Sequence, residues 1–213
     1  MTWFPIFQIA ILLFSVVIHE VSHGAMAEHL GDQTARMMGR LTLNPLKHID
    51  LFGSIILPFI LIITNSPIVI GWAKPVPYNP NRLYKDRKYG PLKVALAGPA
   101  VNIIIALVFG LILRFGFPYL PDASILLIGF IVFLNMLLAF FNLIPIPPLD
   151  GSKILTVLLP PRYSFAVQSV GIGGIFFVFL FIFLFGGLLF QGVAAAFEFV
   201  VGSGASSAFL NLP

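Results

Sequence analysis

The sequence predicts an all-α, polytopic membrane protein with about four spanning helices and a re-entrant segment at residues 51–72. Three observations lead to this fold class: 59% of the 213 residues are hydrophobic, only 9% are charged, and the apolar residues form long runs. Soluble domains carry roughly 25% charged residues, so lipid must be the solvent for much of this surface. We expect residues 1–213 to form a single integral membrane domain.

The apolar runs are predicted to be helices. Lipid can be spanned only by α-helices and closed barrels, and these runs lack the alternation typical of strands. Four runs are long enough to cross a membrane: residues 3–29, 94–117, 124–143 and 170–201. Glycines in the last run leave the side of the C-terminus open. The remaining segments are a polar stretch at 30–50, a basic, proline-rich loop at 73–93, and a short helix with a connector at 154–169.

The composition also restricts which metal ligands and which partners are possible. The chain has no cysteine, so any metal must be held by His, Asp or Glu. The net charge is +4, but the basic residues cluster near the predicted membrane segments. Such clustering orients a protein in the bilayer, so we expect the lipid bilayer and no nucleic acid as a partner. The first apolar run lacks a basic leading region, so we expect no cleavable signal peptide.

One motif on the first predicted helix indicates metal chemistry. Residues 19–23 read His19-Glu20-Val21-Ser22-His23, which is the pattern H-E-x-x-H. Residues i and i+4 share one face of a helix, so both imidazoles can bind one ion, with Glu20 as general base. Ionisable groups are costly in a membrane segment and usually mark function there. A helix end that merely reaches the interface would explain the polarity but not the spacing.

The third ligand is open on the residues alone. Asp150 follows the proline-rich run 145–148, where it is either a ligand or only the cap of the next helix. His29 lies at the spacing of a metzincin third ligand, but the position that requires Gly in that pattern is Met26. We expect His48 to be interfacial, and Glu28 and Asp32 to face solvent.

Three motifs together resemble the site-2 protease family of intramembrane zinc metalloproteases. They are HEVSH at 19–23, AGPAVN at 97–102 and NLIPIPPLDG at 142–151, in the order found in that family. The resemblance implies that His19, His23 and Asp150 bind one Zn²⁺ per chain and that Glu20 is the general base. It further implies that Asn142 holds the substrate backbone or stabilises the oxyanion. It leaves the role of Asn102 open between helix packing and substrate contact.

The resemblance also implies a function. A member of this family would be a zinc metalloendopeptidase that cleaves transmembrane segments of other proteins, as in regulated intramembrane proteolysis. The chain resembles a short subgroup, with no span before the H-E-x-x-H helix and no room for a PDZ domain or a CBS pair. A transporter or ion-binding protein is the alternative of a different class, since buried ionisable residues also serve transport. A proteolytically inactive relative is a second alternative.

Metal ligation restricts the topology, because all ligands must lie within about 2 Å of one ion. The end of the first span and the end of 124–143 must then be on one side, which requires 51–72 to be re-entrant. Pro58 and the break at 64–67 suit such a hairpin. This topology places eleven of the twelve Lys and Arg residues on one side, and Arg114 on the other. The positive-inside rule makes the crowded side cytoplasmic, and we expect the active site to face it in the plasma membrane.

Overall fold

The fold is known from a computed structural model, which describes residues 3–56, 59, 60, 63, 64 and 73–211. No strand occurs among these residues. The chain divides into two compact units, Met1–Gly90 and Pro91–Pro213, which are treated separately below.

The described α-helices are α1 (Phe4–His29), α2 (Thr34–Met37), α3 (Gly90–Gly116), α4 (Asp122–Asn142), α5 (Asp150–Leu158), α6 (Pro161–Ser169), α7 (Gly174–Val201) and α8 (Ser203–Asn211). Short 3-10 turns occur at Pro45–Lys47, Pro80–Arg82, Phe117–Tyr119 and Gly171–Gly173, and a wider helical turn at Leu51–Ile56.

Within the described residues, four helices are long and apolar enough to cross a membrane: α1, α3, α4 and α7. The all-α class and the four spans predicted from the sequence are thereby confirmed. Two helices begin at other residues than the sequence predicts. α3 begins at Gly90, before its apolar run, and α7 begins at Gly174 instead of residue 170. The helix predicted within 154–169 is two helices, α5 and α6, because Pro160 and Pro161 interrupt the backbone hydrogen bonding between them.

In the first unit, the chain after α1 folds back against its C-terminal half. Gly24 permits this close approach, because a Cβ there would lie 2.6 Å from Val76 Cγ1 and 2.7 Å from Leu41 Cδ2. Gly31, with φ of +115°, makes the turn that follows α1, in a region that side chains rarely adopt. The side chain of Val76 is 6% exposed and belongs to the small core of this unit.

The two flanks of segment 51–72 are hydrogen-bonded to each other. Lys74 N–H donates to His48 O at 2.8 Å, and Asn79 N–H donates to Asp32 Oδ2 at 2.5 Å. A single crossing would separate the flanks by the hydrocarbon thickness of roughly 30 Å. These contacts agree with the re-entrant prediction, although residues 57, 58, 61, 62 and 65–72 lie outside the described residues.

One expectation about the polar residues in this unit is wrong: Asp32, expected to face solvent, is 0% exposed. His48, expected to be interfacial, is buried within the protein and is 1% exposed. His48 Nε2 bonds Thr42 O at 2.9 Å, and Asp32 accepts hydrogen bonds from the N–H and hydroxyl of Thr34 and from Asn79 N–H. Burial by itself raises the pKa of Asp32, but these bonds and nearby Arg82 hold that pKa below its ordinary value of 3.8.

The second unit has a core where α3, α4, α7 and α8 meet. Its buried members are Ala106, Leu113, Ile125, Val132, Met136, Val193, Phe197, Val200, Val201 and Ala205. Glycines allow the helices to approach closely, as at Gly110, where a Cβ would lie 2.4 Å from Val200 Cγ1. Close approach over small residues is the usual basis of helix association in membranes.

The C-terminal end of the chain reverses direction after α7. Gly202, with φ of +85°, breaks the helix, and α8 packs back against α4 and α7. Phe209 of α8 lies over Gly129 of α4, where a Cβ would be 2.4 Å from its ring. The last apolar segment is therefore one spanning helix followed by a short returning helix.

Candidate metal and catalytic site

The H-E-x-x-H motif lies on the C-terminal half of α1. His19 and His23 are 5% and 6% exposed, and their Nε2 atoms are 3.1 Å apart. The rings are 4.7 Å apart at an interplanar angle of 84°, so each presents one nitrogen to the same point. The i, i+4 spacing on an unbroken helix produces this arrangement, as the sequence predicts.

The spacing of the two nitrogens fits a zinc ion. Two Zn–N bonds of about 2.05 Å would subtend roughly 98° across the observed 3.1 Å, near the tetrahedral value of about 109°. A pair of neutral imidazoles can also share one hydrogen bond at this distance. Buried imidazoles on a spanning helix, in a chain without cysteine, are nevertheless a donor set that suits zinc.

Glu20 lies at the edge of the same helix face. At about 100° per residue, its side chain is rotated about 60° from that of His23 around the helix axis. It is half-buried, and its Oε2 accepts a hydrogen bond from Val76 N–H at 3.0 Å. The carboxylate is thus both close to the imidazole pair in sequence and held by a residue far along the chain.

Asp150 and Asn142 belong to the second unit, at the two ends of loop 143–149. Asp150 is 6% exposed and is the first residue of α5, and its Oδ1 accepts from Lys153 Nζ at 2.8 Å. Leu149 occupies the N-cap position of α5, and Asp150 lies in its first turn. Asn142 ends α4, and its Nδ2 donates to Leu138 O at 2.9 Å.

The rival metal ligands are not part of this site. α1 continues without a break to His29, so ten residues place His29 about 15 Å from His19 along the axis. Its side chain is exposed. The unbroken helix and the exposure of His29 therefore argue against the metzincin-like arrangement. His48 is buried against Thr42 instead.

Asn102, whose role the sequence left open, lies inside the second unit. It is 0% exposed, and its Nδ2 donates to Asn135 Oδ1 at 2.7 Å across α3 and α4. Asn135 in turn donates to Ile131 O at 2.9 Å. The structure therefore supports helix packing for Asn102. Sequence reasoning missed Asn135, although an amide in the middle of the apolar run 124–143 was a usable signal.

Comparison with known proteins adds a second kind of observation. The model of peptidase family M50 matches residues 7–124 and 120–185. A candidate zinc metalloprotease of Bacillus subtilis, YwhC, is 39% identical over 179 residues, covering 80% of this chain and 78% of the relative. A candidate zinc metalloprotease of Mycolicibacterium smegmatis, Rip2, is 34% identical over 160 residues, covering 74% of this chain and 59% of the relative.

A third relative, the zinc metalloprotease MJ0392 of Methanocaldococcus jannaschii, is 36% identical over 87 residues, which are 38% of this chain and 23% of the relative. The chain thus spans most of YwhC but only part of the other two. No solved structure matches the chain.

Fold, motif and comparisons together define a multi-pass membrane metalloprotease. The chain belongs to peptidase family M50, the site-2 protease family. The family resemblance predicted from the three motifs is therefore confirmed, and the expectation of a zinc peptidase is supported by the family and by the names of the relatives.

Proposed function

We propose that the protein is an intramembrane zinc metalloendopeptidase that cleaves transmembrane segments of other membrane proteins. The observation that carries the proposal is the pair of buried imidazoles, with nitrogens 3.1 Å apart, beside a carboxylate on a spanning helix. Ionisable groups in such a helix are retained chiefly for function.

His19, His23 and Asp150 are the proposed zinc ligands. Catalytic zinc sites take three protein ligands and keep one position open, so the imidazole pair needs one more donor. Asp150 is a buried carboxylate placed by a proline-rich break at the end of a spanning helix. It stands at the position that the site-2 protease motif assigns to a ligand, and the exposed His29 does not compete with it.

The reaction is peptide hydrolysis. Zinc at this site would polarise the scissile carbonyl and acidify a water molecule. Glu20 accepts the proton of that water on its carboxylate and passes it to the leaving amine, which restores the carboxylate for the next turnover. Asn142, at the start of the loop that carries Asp150, holds the substrate backbone or the developing oxyanion.

The proposed substrate is a transmembrane helix that unwinds locally. An intact helix engages its carbonyls in backbone hydrogen bonds, so the scissile bond must be freed before water attacks it. We place the site towards the cytoplasm of the plasma membrane, because the predicted topology puts eleven of twelve basic residues on that side.

The test is cleavage of a transmembrane substrate by the protein reconstituted in lipid vesicles, with zinc content measured in parallel. Glu20→Gln should lower the rate of cleavage by at least about 100-fold but retain zinc, whereas His19→Ala should lose zinc and cleavage together. Glu28→Gln is the matched control, since Glu28 lies on the same helix and pairs with Arg36 at the surface. Undiminished cleavage by Glu20→Gln would refute the proposal, and zinc binding without cleavage in the wild type would favour an ion-binding protein or an inactive relative.

A further inference from the structure

A short extended segment crosses the C-terminal half of α1. We name residues 73–79 the strap. It contains no helical turn, and Pro75 and Pro77 flank Val76, so Val76 supplies the only backbone N–H between residues 75 and 77. That N–H donates to Glu20 Oε2 at 3.0 Å. A loop residue thus contacts the proposed general base directly.

The strap is held in place at both of its ends. At one end, Lys74 N–H donates to His48 O at 2.8 Å. At the other, Asn79 N–H donates to Asp32 Oδ2. Between them the Val76 side chain fills the notch that Gly24 leaves on α1. These two hydrogen bonds and the packing of Val76 together fix the position of the Val76 N–H along α1.

Arg40 ties the strap to the chain that precedes segment 51–72. Its guanidinium donates to Lys47 O, to Lys74 O at 3.2 Å and to Pro75 O at 3.4 Å. The planar fork of Arg can bridge several carbonyls, which a Lys ammonium on a flexible stem does less well. Through Pro75 O, Arg40 thus holds the peptide group that carries the Val76 N–H.

We propose that the strap orients the general base, with Val76 N–H as the donor to Glu20 and Arg40 as a positioning residue that acts through the strap. The inference rests on the function proposed above. With Oε2 engaged by Val76, Oε1 is the oxygen that accepts the proton of the attacking water. Fixing the carboxylate in this way removes rotational freedom that would otherwise have to be lost during the reaction.

The first test compares Arg40→Gln with Arg36→Gln in the reconstituted protein. Arg36 lies on the same segment but pairs with Glu28 on the surface, so it is the matched control. Arg40→Gln should lower kcat about tenfold, because a misplaced general base loses part of its roughly 100-fold or larger contribution. KM and zinc content should stay at wild-type values, and Arg36→Gln should keep wild-type kcat.

The second test removes the Val76 N–H itself. Val76→Pro lacks the donor but suits an extended backbone between two prolines, whereas Val76→Ala keeps the donor and loses only side-chain packing. We expect a loss of kcat in Val76→Pro that exceeds the loss in Val76→Ala. Equal losses in the two variants would show that the packing against Gly24, not the hydrogen bond, matters.

A double variant distinguishes positioning from general damage. If Arg40 acts through Glu20, adding Arg40→Gln to Glu20→Gln should leave the residual rate unchanged, because non-additivity marks residues that act as a unit. A further tenfold loss in the double variant would overturn the inference. If instead Glu20→Gln alone keeps full activity, the proposed function fails, and the two failures are thus distinguishable.

Discussion

Gly151 offers a sensitive test of how Asp150 is held. A Cβ at this position would lie 2.2 Å from Leu143 O and 2.5 Å from Ile144 O. Both contacts are with backbone, so no side chain can rotate away. Gly151→Ala must move the first turn of α5 by about 1.2 Å to reach the 3.4 Å of an ordinary contact.

This displacement is large compared with the tolerance of a metal site. Ligand distances in zinc sites are kept within about 0.2 Å, so we expect Gly151→Ala to weaken zinc binding by roughly 10- to 100-fold. The overpacking should also lower the free energy of unfolding by about 1–3 kcal/mol. Zinc affinity is measured by competition with a chelator, and stability by thermal unfolding with and without added zinc.

The matched control is Gly187→Ala in α7, where an added Cβ meets nothing within 4 Å. Alanine favours a helix over glycine by about 1 kcal/mol, so this variant should be neutral or slightly more stable. Wild-type zinc affinity in Gly151→Ala would refute the reasoning, because it would mean either that the turn relaxes without moving Asp150 or that Asp150 is not a ligand.

Three further predictions follow from the buried polar residues. His23→Ala should lose zinc while His29→Ala keeps it in metal analysis, and zinc lost in both would restore the metzincin-like arrangement. The lowered pKa of Asp32 stabilises the fold above its ordinary value of 3.8, and this stabilisation is lost as pH falls through the lower folded value. The difference in melting temperature between wild type and Asp32→Asn should therefore be largest above about pH 5 and shrink towards pH 3; a constant difference would contradict this. Asn135→Leu removes the acceptor of Asn102 and should cost about 0.6–1.7 kcal/mol in lipid, measured by unfolding in bicelles, and no change would show the pair to be dispensable.

The sequence predicted the imidazole pair because its geometry is local. Four residues along one unbroken helix suffice to bring His19 and His23 together, and no tertiary contact is needed. The expectation that Asp32 faces solvent was wrong because its burial is not local. The burial of Asp32 depends on Asn79, which lies 47 residues further along the chain. A hydropathy profile shows that such a carboxylate is polar, but it does not show which backbone N–H groups donate hydrogen bonds to it in the folded chain.

The sequence by itself determined that lipid surrounds much of this protein's surface. It also determined the number of spanning helices, the metal-binding motif and the family. These depend on composition, on run length and on spacing within one helix, all of which can be read along the chain. Only the tertiary structure decided which backbone N–H reaches Glu20, what buries Asp32, how Asn102 pairs across two helices, and that the C-terminal helix returns along α4. Each of these joins residues distant in sequence, and the free energy that selects them comes from close packing and hydrogen bonds that exist only once the helices have met.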